Sequence, residues 1–194
     1  MTISGNISSA TYGINRAGLP ASHINAGAVK IVSDDAVWPC GLILGKTTDG
    51  YLPYAEYTVQ IGTGDASAKD FNFNTGGGIE PGSVSITAGG VTLTDDGCGN
   101  LTGSGGAGSV NYETGGGVVS FSTAPADAAA IDMTYKPDPC AVLDAETDTA
   151  KADSAIIVRF GAVRSSELKV GVAAPAAPAA SVTGRLNIHN IYEM

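Results

Sequence analysis

The chain has 194 residues, 27 of them glycine, with 15% charged residues and a formal net charge of -9. At 43% hydrophobic it is too apolar for a disordered chain, and it is too rich in glycine for a helical one. The acidic balance argues against nucleic acid and against an anionic membrane surface, because both need clustered Lys and Arg.

Residues 1–27 are rich in Ser, Gly, Asn and Ala, with isolated Ile3, Ile7, Tyr12, Ile14, Leu19 and Ile24. No period of 2 or 3.6 persists, so the segment reads as an extended arm. Apolar side chains spaced in this way suit docking on a partner, for example by adding a strand to its sheet. The arm lacks the basic and apolar regions of a secretory signal, and no apolar run in the chain approaches the length of a membrane span. Residues 29–32 read as a first strand, ended by Ser33-Asp34-Asp35. Residues 41–44 read as a short buried strand and Lys46-Thr47-Thr48-Asp49-Gly50 as a hairpin turn. Residues 51–54 return as a second arm, which Pro53 confines to an edge or to the end of its strand.

Residues 56–137 differ in character. They hold 17 of the 27 glycines, and nine acidic residues stand against Lys69 and Lys136, a net charge of -7 that leaves -2 for the rest of the chain. Period-2 runs recur: Tyr57-Val59-Ile61, Phe71-Phe73, Val84-Ile86, Val91-Leu93, Val110-Tyr112, Val119-Phe121 and Ile131-Met133-Tyr135. Each places alternate apolar residues on one face of a strand. Between them lie turn signals such as Pro81-Gly82, Gly89-Gly90 and Asp95-Asp96-Gly97. Seven short strands joined by glycine turns predict a β-sandwich whose aromatic residues pack its core.

From Asp138-Pro139 the earlier character resumes. The run Ala141-Val142-Leu143 is followed by an acidic, Thr-rich loop over residues 144–153, read as solvated surface. Ala155-Ile156-Ile157-Val158 is a buried strand that turns at Phe160-Gly161. A further strand is predicted over residues 167–172. Residues 173–180, with two prolines, read as a semi-rigid connector. Residues 181–194 read either as a last helical turn or as an edge strand.

The sequence offers little for catalysis. His23 and His189 are the only histidines, and both fall in end segments read as exposed or locally hydrogen-bonded, so a Ser/His/Asp or Cys/His site has little to work with. No HExxH, CxxC or phosphate-cradling loop occurs. Asp95-Asp96-Gly97-Cys98-Gly99-Asn100 has the oxygen ligands of a calcium loop, but it lacks the EF-hand spacing and distal Glu and suits an ordinary hairpin. Asp144, Glu146 and Asp148 have no visible apolar pocket to shift a pKa. Cys40, Cys98 and Cys140 read as three reduced thiols, with a facing pair of Cys40 and Cys140 as the alternative, since each follows a proline. The expectation is therefore a non-enzymatic protein with no catalytic, cofactor-binding or metal residues and no cofactor.

Two stretches carry a resemblance. GLILGKTTDGYLPY, and CAVLDAETDTAKADSAIIVRFGAV further on, together resemble the capsid decoration (head-stabilising) proteins of tailed bacteriophages, the lambda type, over about residues 29–54 and 139–172. The intervening segment, with PGSVSI, DDGCGNL and NYETG in order, resembles a small β-sandwich module of phage structural proteins. The resemblance implies a mainly β chain in which a small β-rich body with little helix is interrupted by an Ig-like or Greek-key β-sandwich. Its parts would be an arm over residues 1–27, a discontinuous capsid-binding body over 28–55 and 138–194, and an outward-projecting insertion over 56–137. It further implies a homotrimer on the outer surface of the expanded capsid, made in the bacterial cytoplasm, with the major capsid protein as partner and Ile3, Ile7, Tyr12 and Ile14 as the contact residues. Nucleic acid and membrane are not expected partners. Competing readings are a tail or baseplate component, and an adhesin-like module binding host-surface or environmental glycans through residues 56–137.

Overall fold

The computed structural model describes residues 27–194. The protein is mainly β, and it divides into two compact units. One runs to Leu44, takes in Gly50–Pro53 and resumes over Cys140–Met194; the other holds Gly45–Asp49 and Tyr54–Pro139.

The first unit is built on a five-stranded sheet. Its strands are β1 (Gly27–Lys30), β3 (Ile43–Lys46), β4 (Tyr51–Pro53), β13 (Ala141–Leu143) and β15 (Ser154–Val158), in the order β1-β15-β13-β3-β4. Every residue of β13 is buried, as expected of a short apolar run in the middle of a sheet. Just beyond β1, Ile31 bridges Tyr51 in parallel, and the Val32 amide donates to the Tyr51 carbonyl at 2.8 Å. The sheet thus curls until the continuation of one edge meets the other. Gly50 makes this approach possible, because at φ +147° a Cβ there would lie 2.8 Å from the Lys30 carbonyl oxygen. Trp38, Leu42, Leu44, Leu143 and Ile157 fill the interior with no exposed surface.

A short pair packs with this unit: β2 (Val37–Trp38) lies antiparallel to β14 (Thr147–Asp148), with Thr147 opposite Trp38. The loop read as solvated is therefore partly structured, and Asp144 and Thr149 within it are buried. The strand predicted over residues 167–172 does not form. A 3-10 turn occupies Ser165–Glu167, and Lys169 and Val170 make single bridges, to Leu42 and to Ala176. The reason is Gly41, whose φ of +85° and missing Cβ let the Glu167 carbonyl oxygen sit 1.6 Å from where that Cβ would be. The Lys169 amide donates to the Gly41 carbonyl, and the Ile43 amide donates to the Lys169 carbonyl, each at 2.9 Å. The backbone of 167–169 is thereby drawn against residues 41–43.

The chain's last segment contains both a helix and a strand. Helix α1 (Ala180–Ile188) buries Val182, Thr183 and Leu186, one stripe at helical spacing. It stops where Asn190 enters the left-handed region at φ +60°, a conformation Asn tolerates at helix ends. Strand β17 (Ile191–Glu193) then pairs in parallel with β16 (Gly161–Val163).

The second unit is one sheet of eight antiparallel strands: β5 (Tyr57–Thr63), β6 (Asp70–Asn74), β7 (Ser85–Ala88), β8 (Val91–Asp95), β9 (Asn100–Gly103), β10 (Gly106–Asn111), β11 (Gly116–Phe121) and β12 (Ala130–Tyr135). Their order is β5-β12-β7-β8-β9-β10-β11-β6, which makes a nearly closed, sandwich-like barrel whose two end strands are consecutive in the chain. Each of the seven period-2 runs lies on one of these strands or beside it. The eighth strand, β9, carries a single inward residue, Leu101, between turn residues, so no alternation marks it. Ile86, Leu93, Leu101, Val119, Ile131 and Met133 form a core without exposed surface. Phe73, Phe121 and Tyr135 are buried with them, while Tyr57, Phe71 and Tyr112 pack against the cluster. Gly117 faces the Phe73 ring, where a Cβ would approach Cζ to 2.2 Å. Glycine within β11 thus makes room for an aromatic ring from β6.

Candidate interaction surface

Within the first unit the strongest polar cluster surrounds Trp38. Asp34 Oδ1 accepts the indole N–H of Trp38 at 2.8 Å and lies 3.0 Å from the Thr149 hydroxyl. That hydroxyl accepts the Ala36 amide at 3.0 Å and lies 2.9 Å from the Ala36 carbonyl oxygen. Its single proton serves one of the two acceptors at a time. Ser33 Oγ donates to the Thr149 carbonyl at 2.8 Å. The cluster ties residues 33–38 to residue 149, more than a hundred positions away in sequence. Its atoms are directed at one another, which makes it a structural clasp rather than a site for chemistry.

The other polar residues that the sequence singles out are engaged in the same way. Asp96 caps the β8–β9 hairpin, accepting from the Cys98 amide at 2.7 Å and from the Asn100 amide and side chain. These bonds, led by the Asn100 side chain, hold its carboxyl below the usual carboxylate range. Asp95 accepts from the amides of Gly82 and Gly97 and from the Tyr112 hydroxyl. Desolvation and that bond to Asp95 push Tyr112 up to about 12. The stretch weighed as a calcium loop is thus a hairpin whose carboxylates hold its own turn. Asp144 is buried, with its amide donating to the Ile156 carbonyl at 2.9 Å and its carbonyl accepting the Cys40 thiol at 3.4 Å. This corrects its expected place on a solvated loop: the Cys40 and Ile156 contacts draw it inside. Asp148, half-buried, pairs with Lys151, which lowers its pKa. Neither Cys40 nor Cys140 forms a disulfide.

Among the described residues, no group of three or more His, Cys, Asp or Glu could hold a metal ion, and no helix is long and apolar enough to cross a membrane. Every buried side-chain nitrogen or oxygen described has a hydrogen-bond partner. An open depression in the first unit is lined by Ile31, Ser33 and residues 149–153. Ser33 Oγ is already committed there to the Thr149 carbonyl.

What remains is surface. The second unit exposes two large aliphatic side chains among the described residues, Val59 and Val118. The first exposes Val32, Val37 and Ile156, and four more lie on or beside α1, β16 and β17: Phe160 (37%), Ile188 (64%), Tyr192 (50%) and Met194 (74%). Nothing in the sequence marks these side chains as exposed. Ile191 and Tyr192 are neighbours in a segment with no sustained period, and only the packing of β17 shows that the first is buried and the second exposed. The contact residues expected from sequence, Ile3, Ile7, Tyr12 and Ile14, lie outside the described residues, as does His23. No protein-family model, curated protein or solved structure matches the chain.

Proposed function

We propose that this chain is a structural virion protein, a capsid decoration protein of a tailed bacteriophage. It binds the outer face of the expanded shell as a homotrimer and stabilises the shell against the pressure of packaged DNA. The major capsid protein is its partner, the acidic second unit is displayed to solvent, and the chain works without a cofactor. A trimer touching several coat subunits resists their separation through many weak contacts acting together.

The observation that supports this reading best is the contrast in surface between the units. The exposed apolar side chains concentrate in the unit whose two segments carry the decoration-type motifs. The other unit is acidic and turns its aromatic residues inward. Adhesive surface without a polar site is what an assembly protein needs.

The test uses the full chain and a variant lacking residues 2–20. Light scattering should give three times its own chain mass for each, the full chain being 19.3 kDa. The full chain should cosediment with expanded empty heads and not with unexpanded ones, and the shortened variant with neither. A monomeric full chain that ignores expanded heads would rule the proposal out. Head binding undiminished by the truncation would remove the contact role of Ile3, Ile7, Tyr12 and Ile14.

A further inference from the structure

The ladders of the two units differ in how far they reach along the chain. Among the described residues, every ladder of the second unit lies within residues 57–135. Its first and last strands, β5 and β12, are neighbours, with Tyr57 opposite Tyr135. The chain therefore leaves that sheet beside the point where it entered. Residues 45–49, counted with this unit, join it through an isolated bridge, Thr47 to Gly77, and not through a ladder. In the first unit three ladders join residues that precede the second unit to residues that follow it: β1 with β15, β3 with β13, and β2 with β14. Thr149 and Asp34 are bonded across the same interval, and so are Lys169 and Gly41.

We propose that a folding order is built into this connectivity: the second unit closes first and acts as a clamp that brings the two halves of the first unit together. The dependence runs one way. The ladders of the second unit draw on no described residue before 57 or after 135, so its sheet closes while the first unit is still unfolded. The crossing ladders of the first unit must instead close a loop over residues 54–140, which is 87 residues of chain. With the second unit unfolded, the whole of that loop is loose. With Tyr57 held opposite Tyr135, only residues 54–56 and 136–140, eight in number, lie outside the paired strands. The cost of closing a loop grows with the logarithm of its length, so this shortening favours closure about thirtyfold. The strands that gain from it are short: β2 and β14 have two residues each and β13 has three. Strands of that length cannot persist before their distant partners arrive, and pairing across long separations is slow. A chain cut short just past the second unit would thus present the acidic sheet without the unit that carries the decoration-type motifs.

Refolding of the full chain from denaturant tests the order. Trp38, the single tryptophan, lies in the first unit, and pulsed hydrogen exchange read by mass spectrometry follows β7, β8 and β12 in the second. Those three strands should gain protection before the native Trp38 fluorescence returns. Recovery of Trp38 first, or of both signals together, would overturn the proposal. Two variants test the one-way dependence at equilibrium. Ile131→Asp puts a carboxylate at a position with no exposed surface in the second unit's core. It should strip protection from β7 and β12 and lower the folded-to-unfolded ratio read by Trp38 about tenfold or more. Ile157→Asp does the same to the first unit's core and should leave β7, β8 and β12 protected. A Trp38 ratio unmoved by Ile131→Asp, or loss of β12 protection in Ile157→Asp, would overturn the proposal equally. If Ile131→Asp yields no soluble chain, the refolding order of the wild-type chain decides alone. No capsid enters these measurements, so failure here leaves the decoration reading untouched, and failure of capsid binding leaves the folding order standing.

Discussion

The two units solve the same problem, closing a small β-sheet around an apolar core, and then use their polar residues differently. In the second unit three lysines stand against eleven acidic residues, a net charge of -8. Carboxylates such as Asp95, Asp96 and Asp65 cap its turns by accepting backbone amides. In the first unit seven basic and eight acidic residues nearly balance. There a carboxylate, Asp34, works through side chains to clasp a tryptophan. Turns held by carboxylates leave a surface of one dominant sign. A clasped core with exposed Phe160, Ile188, Tyr192 and Met194 gives a surface suited to contact.

The comparison fails if the units do not fold separately, and the largest perturbation tests that. Gly41→Ala sets a Cβ 1.6 Å from the Glu167 carbonyl oxygen in a backbone held at φ +85°. Strain and clash together should cost about 3 kcal/mol or more. Trp38 is the single tryptophan and is fully buried in the first unit, so its fluorescence reports that unit alone. Loss of the native Trp38 signal at lower denaturant is expected, with hydrogen exchange in β7, β8 and β12 unchanged. If those strands lose protection together with Trp38, the chain is one cooperative body and the contrast between the units loses its thermodynamic meaning.

A gentler change asks how far each unit depends on its polar fastening. Thr149→Val keeps the shape but leaves the Ala36 amide, 3.0 Å from the hydroxyl it bonds, without that acceptor. The amide keeps a longer bond to Asp34 Oδ1 at 3.3 Å, so losing the hydroxyl's bonds to the amide and to Asp34 should cost about 1–2 kcal/mol. The matching change in the second unit, Tyr112→Phe, removes the acceptor of the Gly99 amide and a donor to Asp95. Asp95 keeps its two amide donors, and the site is nearer solvent, so about 1 kcal/mol or less is expected. Denaturant midpoints from Trp38 fluorescence and from exchange in β10 should rank the two in that order. The reverse ranking would mean that the hairpin, not the clasp, is the more critical fastening.

The sequence disclosed the second unit better than the first, for a physical reason. Antiparallel strands with one buried face alternate, so Ile131-Met133-Tyr135 and Val119-Phe121 announce both strand and core face. The first unit's strands are two to five residues long, too short for alternation to register, and part of its order comes from contacts distant in sequence. Nothing local in Thr149 points to Asp34, and nothing local in Glu167–Leu168 reveals that Gly41 will hold that backbone out of strand geometry. The exposed side chains were hidden for a related reason: the sequence puts Phe160 at a turn and Tyr192 in either a last helical turn or an edge strand, and neither reading says which residues Val163 and Ile191 leave outside.

The smallest expected effect is titration, and it sharpens the same contrast at alkaline pH. Tyr54, Tyr112 and Tyr135 in the second unit, and Tyr51 in the first, all have pKa values above the ordinary value near 10. Desolvation is the largest cause for each, and the bond from the Tyr54 hydroxyl to Glu80 at 2.6 Å adds to it for Tyr54. A raised folded-state pKa means that the folded protein holds its proton where the unfolded chain has released it. The stabilisation is therefore complete below pH 10 and is lost as pH rises through the folded value, about 12 for Tyr112. At pH 10.5 the loss is below about 1 kcal/mol per tyrosine, and less for Tyr112, which is screened by solvent. With three such tyrosines against one, the second unit should weaken faster than the first between pH 9 and pH 11. Denaturation followed in parallel by far-ultraviolet circular dichroism and by Trp38 fluorescence would separate the two. Tyr54→Phe should flatten the steeper curve, because phenylalanine has no proton to lose; an unchanged slope would show that Tyr54 titrates normally.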